Sequence, residues 1–253
     1  MSNGNSLSCI NDNQNKKNQN LTMNMQTKVQ GLSSNWLLNA TSPACQAFLA
    51  AHMVTKQVKS GVVLHEANAP LRSIIFPDSA LISLQANLND GRTVEKISVG
   101  KDGCIGMEYM LGARGYSSHA VVALPGRISY LPVAAFIEAM DQFPCLQAQL
   151  SAYALQKNRQ LMQTIACASH HSASQRLATW LLHANDRTNS SSFHLTQRIL
   201  ANIFGLRLAT INDACARLQA TGAIDHSRGV IRIANRALLL EQACECYETI
   251  RQP

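Results

Sequence analysis

A long uninterrupted helical segment lies in the middle of the sequence, between Pro144 and about Ala168. No glycine or further proline occurs in it, and its apolar residues recur at helical spacing: Leu146, Leu150, Tyr153, Leu161 and Ile165. The pattern predicts a helix of about 25 residues, roughly 37 Å long. We therefore expect the helix to join one unit of structure before it to another after it.

The length of this helix also raises the question of what covers it. A small domain cannot bury both of its ends, so we expect the helix to pair with its twin in a dimer, in the manner of a coiled coil. Lys157 interrupts the apolar stripe, which leaves open the alternative that the helix only packs on the preceding domain.

Before the helix, the hydrophobic period is two. The apolar residues of segment 82–88 alternate with polar ones, the sequence Asn89-Asp90-Gly91 predicts a tight turn, and Thr93–Val99 predicts the returning strand. Further short strands are expected around 73–76, 120–124 and 128–131, separated by glycine and proline. Many short strands separated by glycine and proline predict an antiparallel β-roll.

After the helix, residues 193–222 predict two short helices around a tight turn. Thr196 is a good N-cap for the first, Gly205 ends it in the left-handed region, and the second runs from about Leu208 to Gly222. A β-hairpin follows, with its turn at Ser227-Arg228-Gly229. Helix, turn, helix and hairpin wing in about 40 residues are typical of a DNA-binding domain whose second helix enters the major groove.

Composition agrees with an intracellular, DNA-associated protein. The net charge is +7, and residues 173–253 hold nine arginines, no lysine and six acidic residues. No signal peptide or membrane span is visible, and eight scattered cysteines suit a reducing cytoplasm. We expect an α+β fold: a disordered tail (1–30), a β-roll sensor domain (31–143), a dimerisation helix (144–168) and a winged helix-turn-helix domain (169–253).

The C-terminal third resembles the winged-helix domain of the Crp/Fnr family of bacterial regulators. The resemblance rests on Leu195-Thr196-Gln197, Leu200-Ala201, Gly205-Leu206-Arg207, Thr210-Ile211, Leu218-Gln219, Gly222, Ile224, Arg228-Gly229 and Ile231, and on a tail, Ala243-Cys244-Glu245-Cys246-Tyr247, similar to that of one large subgroup. It implies a homodimer that binds a palindromic duplex DNA site and contacts RNA polymerase, with a cyclic-nucleotide-binding-like roll that senses an effector not identified by the sequence.

Three positions depart from the family. Its best-known members contact bases through an Arg-Glu pair and a second arginine, where this sequence has Leu208, Ala209 and Asp213. We expect the neighbouring Thr210 and Asn212 to contact base edges. The remaining DNA-binding candidates are Thr196, Gln197, Arg207, Arg217, Arg228 and Arg232, of which the arginines would contact phosphates or the groove edge.

The roll departs from the family as well. Cyclic-nucleotide binders use a Gly-Glu stretch and an arginine against the phosphate. Here Glu108 is shifted by one position, and Tyr116 stands where the arginine would be, although Arg114 is nearby. A buried phosphate needs a cationic partner, so we do not expect cyclic nucleotide binding.

The sequence indicates no cofactor, metal or enzymatic activity. No nucleophile elbow, Walker loop or dinucleotide fingerprint is present. Cys244 and Cys246 form a close pair, but we expect them to lie on different faces of a helix, and His170-His171 to be solvated. A second hypothesis for the whole chain is a ligand-sensing regulator that has lost specific DNA contacts and acts through protein partners.

Overall fold

The computed structural model describes residues 34–251, so the tail predicted at 1–30 lies outside the described residues. Two short helices come first, α1 (Trp36–Asn39) and α2 (Pro43–His52). Ser42 caps α2 by accepting the Cys45 N–H, and Pro43 occupies the first turn, where its missing N–H has no cost. The Asn35 side chain donates to the Pro77 and Gly103 carbonyls, which ties α1 to the roll.

The roll consists of two antiparallel sheets. Its strands are β1 (Val54–Val58), β2 (Val63–His65), β3 (Ser73–Pro77), β4 (Leu81–Asn87), β5 (Thr93–Val99), β6 (His119–Leu124) and β7 (Gly126–Pro132). One sheet has the order β1-β7-β3 and the other β2-β6-β4-β5. The hairpin predicted around Asn89-Asp90-Gly91 is confirmed. The sequence did not predict β1 and β2, because β1 is mostly exposed and lacks an apolar alternation.

Two helices follow the roll, α3 (Val133–Gln142) and the long helix α4 (Pro144–His170). Leu146, Leu150 and Tyr153 of α4 are buried in the core of the roll. Lys157 continues the same buried face, so it does not interrupt a dimer stripe as the sequence analysis had it. The apolar residues of α4 that remain exposed lie on another face, at Leu155, Leu161, Met162 and Ile165.

The C-terminal part is a winged helix-turn-helix. Its elements are α5 (Ala173–Thr188), β8 (Ser192–His194), α6 (Gln197–Phe204), α7 (Leu208–Ala220), β9 (Ile224–Ser227), β10 (Val230–Ile233), α8 (Arg236–Gln242) and α9 (Cys246–Ile250). The polar, serine-rich stretch 185–192 predicts a loop, but the loop is shorter than that, because α5 continues to Thr188 and ends at Asn189 in the left-handed conformation. Tertiary contacts extend the helix, since Arg187 in its last turn pairs with Asp102 of the roll.

A buried charged cluster joins the roll, α4 and α5. The Asp102 carboxylate accepts from Arg187 Nε at 3.1 Å and from Lys157 Nζ at 3.4 Å. Burial alone would raise the pKa of Asp102, but the two cations hold it well below its ordinary value. Nearby, the Trp180 indole donates to Glu95 at 3.0 Å. Within residues 34–251, no helix is both long and apolar enough to cross a membrane.

Candidate nucleic-acid interface

The turn between α6 and α7 is built as the sequence predicted. The Thr196 hydroxyl accepts the Ile199 N–H at 3.3 Å and so caps α6. Gly205 ends α6 with φ of 63°, and a side chain there would also contact Val94 of the roll, since its Cβ would lie 2.9 Å from Val94 Cγ2. Glycine is therefore required at this turn both by the backbone and by the packing.

One face of α7 is buried and the opposite face is open. Ile211, Ala214, Cys215 and Leu218 are each at most 3% exposed and pack in the core shared with α5. Burial raises the pKa of Cys215 to about 11, as expected for an inert core thiol. The exposed residues of α7 are Leu208, Ala209, Thr210, Asn212, Asp213, Ala216, Arg217, Gln219 and Ala220. These side chains form an exposed surface along the length of α7.

The exposed face of α7 has small side chains at its centre and polar ones at its flanks. At about 100° per residue, Thr210 and Asn212 point about 160° apart. Thr210 shares its flank with Arg217, and Asn212 lies on the other side. The line between the flanks carries Ala209 and Asp213, which stand where the family has the glutamate of its Arg-Glu pair and its second arginine.

The wing is a three-stranded sheet with the order β8-β10-β9. At its tip, Arg228 is exposed with φ of 48°, followed by Gly229 with φ of 78°. A Cβ on Gly229 would contact Thr196 at 3.4 Å, so the tip of the wing lies beside the start of α6. The structure therefore brings Thr196, its neighbour Gln197 and the wing arginine into one region.

The arginines of this surface differ in their partners. In the part of the chain that the structure describes, Arg207, Arg217 and Arg228 form no ion pair, whereas Arg232 pairs with Asp225 across the wing hairpin. Arg232 is thus partly neutralised. Arg198 was not among the sequence candidates, yet it is exposed in the first turn of α6. Its position in the sequence, directly after the candidate Gln197 at the start of the helix, could have indicated it.

The roll has a cavity of about 240 Å³, lined in part by Glu108, Ser117 and Ser118. Glu108 accepts from the backbone and the hydroxyl of Ser117. Tyr116 is buried, stacks on His65 with ring centres 3.6 Å apart, and donates to the Ser73 carbonyl. Arg114 is exposed over the Tyr109 ring. No guanidinium of the described residues therefore points into the cavity, and no effector is identified.

The cysteine pair of the C-terminal segment differs from its prediction. Cys244 lies between α8 and α9, and Cys246 is the first residue of α9. Their thiols converge on one cluster with Cys167 and His171, rather than on different faces of a helix. The prediction was wrong because the chain turns between the two residues. His171 is likewise paired, with Glu245, and is not a solvated side chain.

Comparison with known proteins gives a consistent result. Residues 175–242 match the model of the Crp-like helix-turn-helix domain. FixK2 from Bradyrhizobium japonicum superimposes with a TM-score of 0.64 at 16% identity, over 76% of this chain and 98% of its own. TTHB099, a CRP-family transcriptional regulator from Thermus thermophilus, gives 0.62 at 17%, over 74% and 96%. No curated protein sequence matches the chain.

The two similarities establish different things. At this level of identity the structural matches establish the fold, whereas the domain match identifies the winged helix-turn-helix by its sequence. The expected α+β fold, with an N-terminal antiparallel roll, a long helix and a C-terminal winged helix, is confirmed. Residues 175–242 are therefore similar to a Crp-like helix-turn-helix domain, and the chain has the fold of the solved regulators that it superimposes on.

Proposed function

We propose that this protein regulates transcription as a homodimer that binds a palindromic DNA operator in the cytoplasm and acts on RNA polymerase. The observation that carries the proposal is the open face of α7, together with exposed arginines at 207, 217 and 228 that form no ion pair among the described residues. Such cations neutralise phosphates, and an exposed second helix between them suits the major groove.

In this proposal, side chains on the two flanks of α7 contact the bases. Thr210 and Asn212 are exposed there and have hydrogen-bonding groups suited to base edges, and Asn212 can donate to and accept from an adenine. The small Ala209 between them allows the helix to approach the base pairs closely. Thr196 and Gln197, at the start of α6, would contact the backbone of the same half-site.

The dimer would form along α4. Leu155, Asn158, Met162 and Ile165 follow a 3-4-3 spacing and are all exposed on the isolated chain, at 55% for Leu155 and 70% for Ile165. This is the seam of a two-stranded coiled coil, and a second copy of the same helix presents the same seam. Asn158 within it would fix the register of the two helices at some cost in stability.

The roll would act as the sensor. Its cavity lies against Tyr153 and Lys157 of α4, so a ligand there would touch the same helix that forms the dimer. Because Tyr116 is buried at the position of the family's phosphate-binding arginine, an effector in this cavity would meet no guanidinium, and its cationic contacts would be Lys96 and Lys157.

A second function is favoured by the centre of α7. Ala209 cannot form a hydrogen bond through its side chain, and Asp213 would repel phosphate. In this alternative the chain senses a ligand and acts through a protein partner, with DNA binding that does not distinguish sequences.

The deciding experiment selects bound duplexes from a randomised pool at moderate salt. A recovered palindrome with half-sites about 34 Å apart, or a multiple, supports the regulator. Asn212→Ala should then relax the preference at one position, and Arg228→Ala should weaken binding to all sites and reduce the salt slope by about 1. The double variant Asp225→Ala/Arg232→Ala is the matched control, because it removes both charges of one ion pair on the wing and leaves the net charge unchanged. No enrichment with the full-length dimer would favour the second function.

A further inference from the structure

Three cysteines and a histidine meet where the C-terminal segment crosses the end of the long helix. Cys167 lies in the last turn of α4, His171 directly follows α4, and Cys244 and Cys246 come from the segment that begins α9. One potential ligand atom from each lies within 4.8 Å of all the others. The three cysteines are at most 8% exposed, so the cluster is closed to solvent on the thiol side.

The distances suit one tetrahedral ion. Bonds of about 2.3 Å to sulfur and about 2.0 Å to nitrogen place neighbouring ligands roughly 3.5–3.8 Å apart. Cys167 Sγ lies 3.6 Å from Cys244 Sγ, and Cys246 Sγ lies 3.6 Å from His171 Nδ1. An iron–sulfur cluster distributes its ligands over several metal atoms and needs a wider cage. Three sulfurs and one imidazole in this geometry form a donor set that selects Zn²⁺.

We propose that Cys167, His171, Cys244 and Cys246 bind one Zn²⁺ ion, against the expectation from the sequence that the chain holds no metal. The short Cys244-x-Cys246 spacing was a weak signal, because structural zinc sites commonly place two to four residues between such cysteines. The fold supplies the other two ligands from the end of α4, about 75 residues earlier, which the sequence alone could not place beside the pair.

The surroundings of the cluster are those of a metal site. His171 Nε2 lies 3.2 Å from the Glu245 carboxylate, which leaves Nδ1 facing the thiols. Metal-bound histidines commonly donate their other ring N–H to a carboxylate, which orients the ring. This contact is independent of the cysteines, and a purely apolar thiol cluster would not require it.

The thiols themselves also have hydrogen-bond donors. Thr179 Oγ1 accepts the backbone N–H of Cys244 at 3.2 Å, so its own hydrogen is available to the Cys244 sulfur at 3.1 Å. Gln163 Nε2 donates to Cys246 Sγ at 3.1 Å. Such donors stabilise negative charge on thiolates bound to a cation.

A reactive redox site fits the cluster less well. Burial raises the pKa of the thiols of Cys167 and Cys246, whereas reactive cysteines are accessible and have lowered pKa values. A disulfide between Cys167 and Cys244 would leave Cys246 and the His171–Glu245 pair without a role.

The ion would fix the joint between the long helix and the DNA-binding domain. It would connect the end of α4 to the segment after α8, and Thr179 of α5 would support it from the third side. With four protein ligands and no open position, the site would be structural, so its binding free energy would stabilise this joint.

The test is the metal content and cobalt spectrum of the untagged full-length protein, prepared under reducing conditions. We expect one zinc per chain, and thiolate-to-cobalt charge-transfer bands with intense tetrahedral d–d absorption after exchange with Co²⁺. Cys246→Ser should remove both, whereas Cys145→Ser, a thiol hydrogen-bonded to Ser42 at the other end of α4, should keep them. Glu245→Gln changes only an exposed side chain and should weaken Zn²⁺ binding about 10- to 100-fold with an unchanged circular dichroism spectrum.

Four results would overturn the proposal: reduced protein that takes up neither ion, a Cys167–Cys244 disulfide in the isolated protein, iron with inorganic sulfide in place of zinc, or equal metal loss in the Cys145→Ser variant. None of these readouts involves DNA, so failure of the metal site is distinguishable from failure of the proposed function.

Discussion

The buried cluster around Asp102 gives a quantitative prediction for the joint between the roll and the DNA-binding domain. The side chains of Asp102, Lys157 and Arg187 are at most 8% exposed, so water screens their charges little. The Asp102→Asn substitution keeps the shape and leaves two buried cations without their anion. Removing one partner of such a pair costs about 3–5 kcal/mol, and the upper end is expected because two cations lose it.

The assay is urea denaturation of the full chain at pH 7, followed by far-UV circular dichroism and tryptophan fluorescence. Trp180 reports on the joint, because its indole donates to Glu95 of the roll. Asp90→Asn is the matched control, since Asp90 and Arg92 form an exposed pair within one hairpin and should contribute too little to measure.

Two further measurements make the result diagnostic. Burial lowers the pKa of Lys157 to about 8, so the destabilisation by Asp102→Asn should shrink at pH 9, where the ammonium is lost at little cost. The double variant Asp102→Asn/Lys157→Met should recover part of the stability, because an apolar side chain needs no anion. A loss below about 1 kcal/mol for Asp102→Asn would refute the assignment of a buried, net stabilising ion cluster.

Three other predictions follow from single features. Burial, and after it the charge of Arg187, lower the pKa of His183 to about 3. Because the unfolded chain takes up a proton on this histidine near pH 6.5, the folded state loses stability as the pH falls from about 6.5 towards 3, by about 2 kcal/mol at pH 5. In urea titrations the His183→Gln variant should not show this loss. If both proteins lose equal stability, His183 is not the group responsible. Met162→Glu on the exposed seam of α4 should raise the dimer dissociation constant at least tenfold in sedimentation equilibrium. Ala152→Glu, at an exposed position about 100° from the seam, should not change it. Equal effects of the two substitutions would show that the dimer interface does not lie along this seam. Gly205→Ala should lower the free energy of unfolding by about 1–2 kcal/mol, measured by thermal unfolding. The alanine would have to adopt a φ of 63°, and its Cβ would crowd Val94. An unchanged Tm would contradict this packing argument.

The winged helix-turn-helix was predictable because its signals are local. Thr196 as a cap, Gly205 at the turn and the glycine of the wing act through backbone conformation within a few residues, and the apolar period of α7 follows from one helix packing on its neighbours. The hairpin at Asn89-Asp90-Gly91 was found for the same reason. The strands that were missed, β1, β2 and β8, are short or exposed and carry no clear alternation.

The candidate DNA surface was predictable only in part. The sequence placed Thr210, Asn212 and the arginines on the second helix and the wing, but it could not show that Thr210 and Asn212 lie on opposite flanks, or that Asp225 neutralises Arg232. Ion pairing depends on which strands lie side by side, and no local pattern encodes it.

By itself the sequence determined the order of three parts: a strand-rich half, an uninterrupted helix and a winged helix, each specified by hydrophobic period, caps and turn residues. Only the tertiary structure decided the roles of Lys157 and of the two C-terminal cysteines. Lys157 lies in a cluster with Asp102 and Arg187. Cys244 and Cys246 lie beside Cys167 and His171. Those partners are about 30 to 80 residues away along the chain. Periodicity shows which face of a helix is apolar, but which buried group a charge or a thiol meets depends on how whole elements pack against each other.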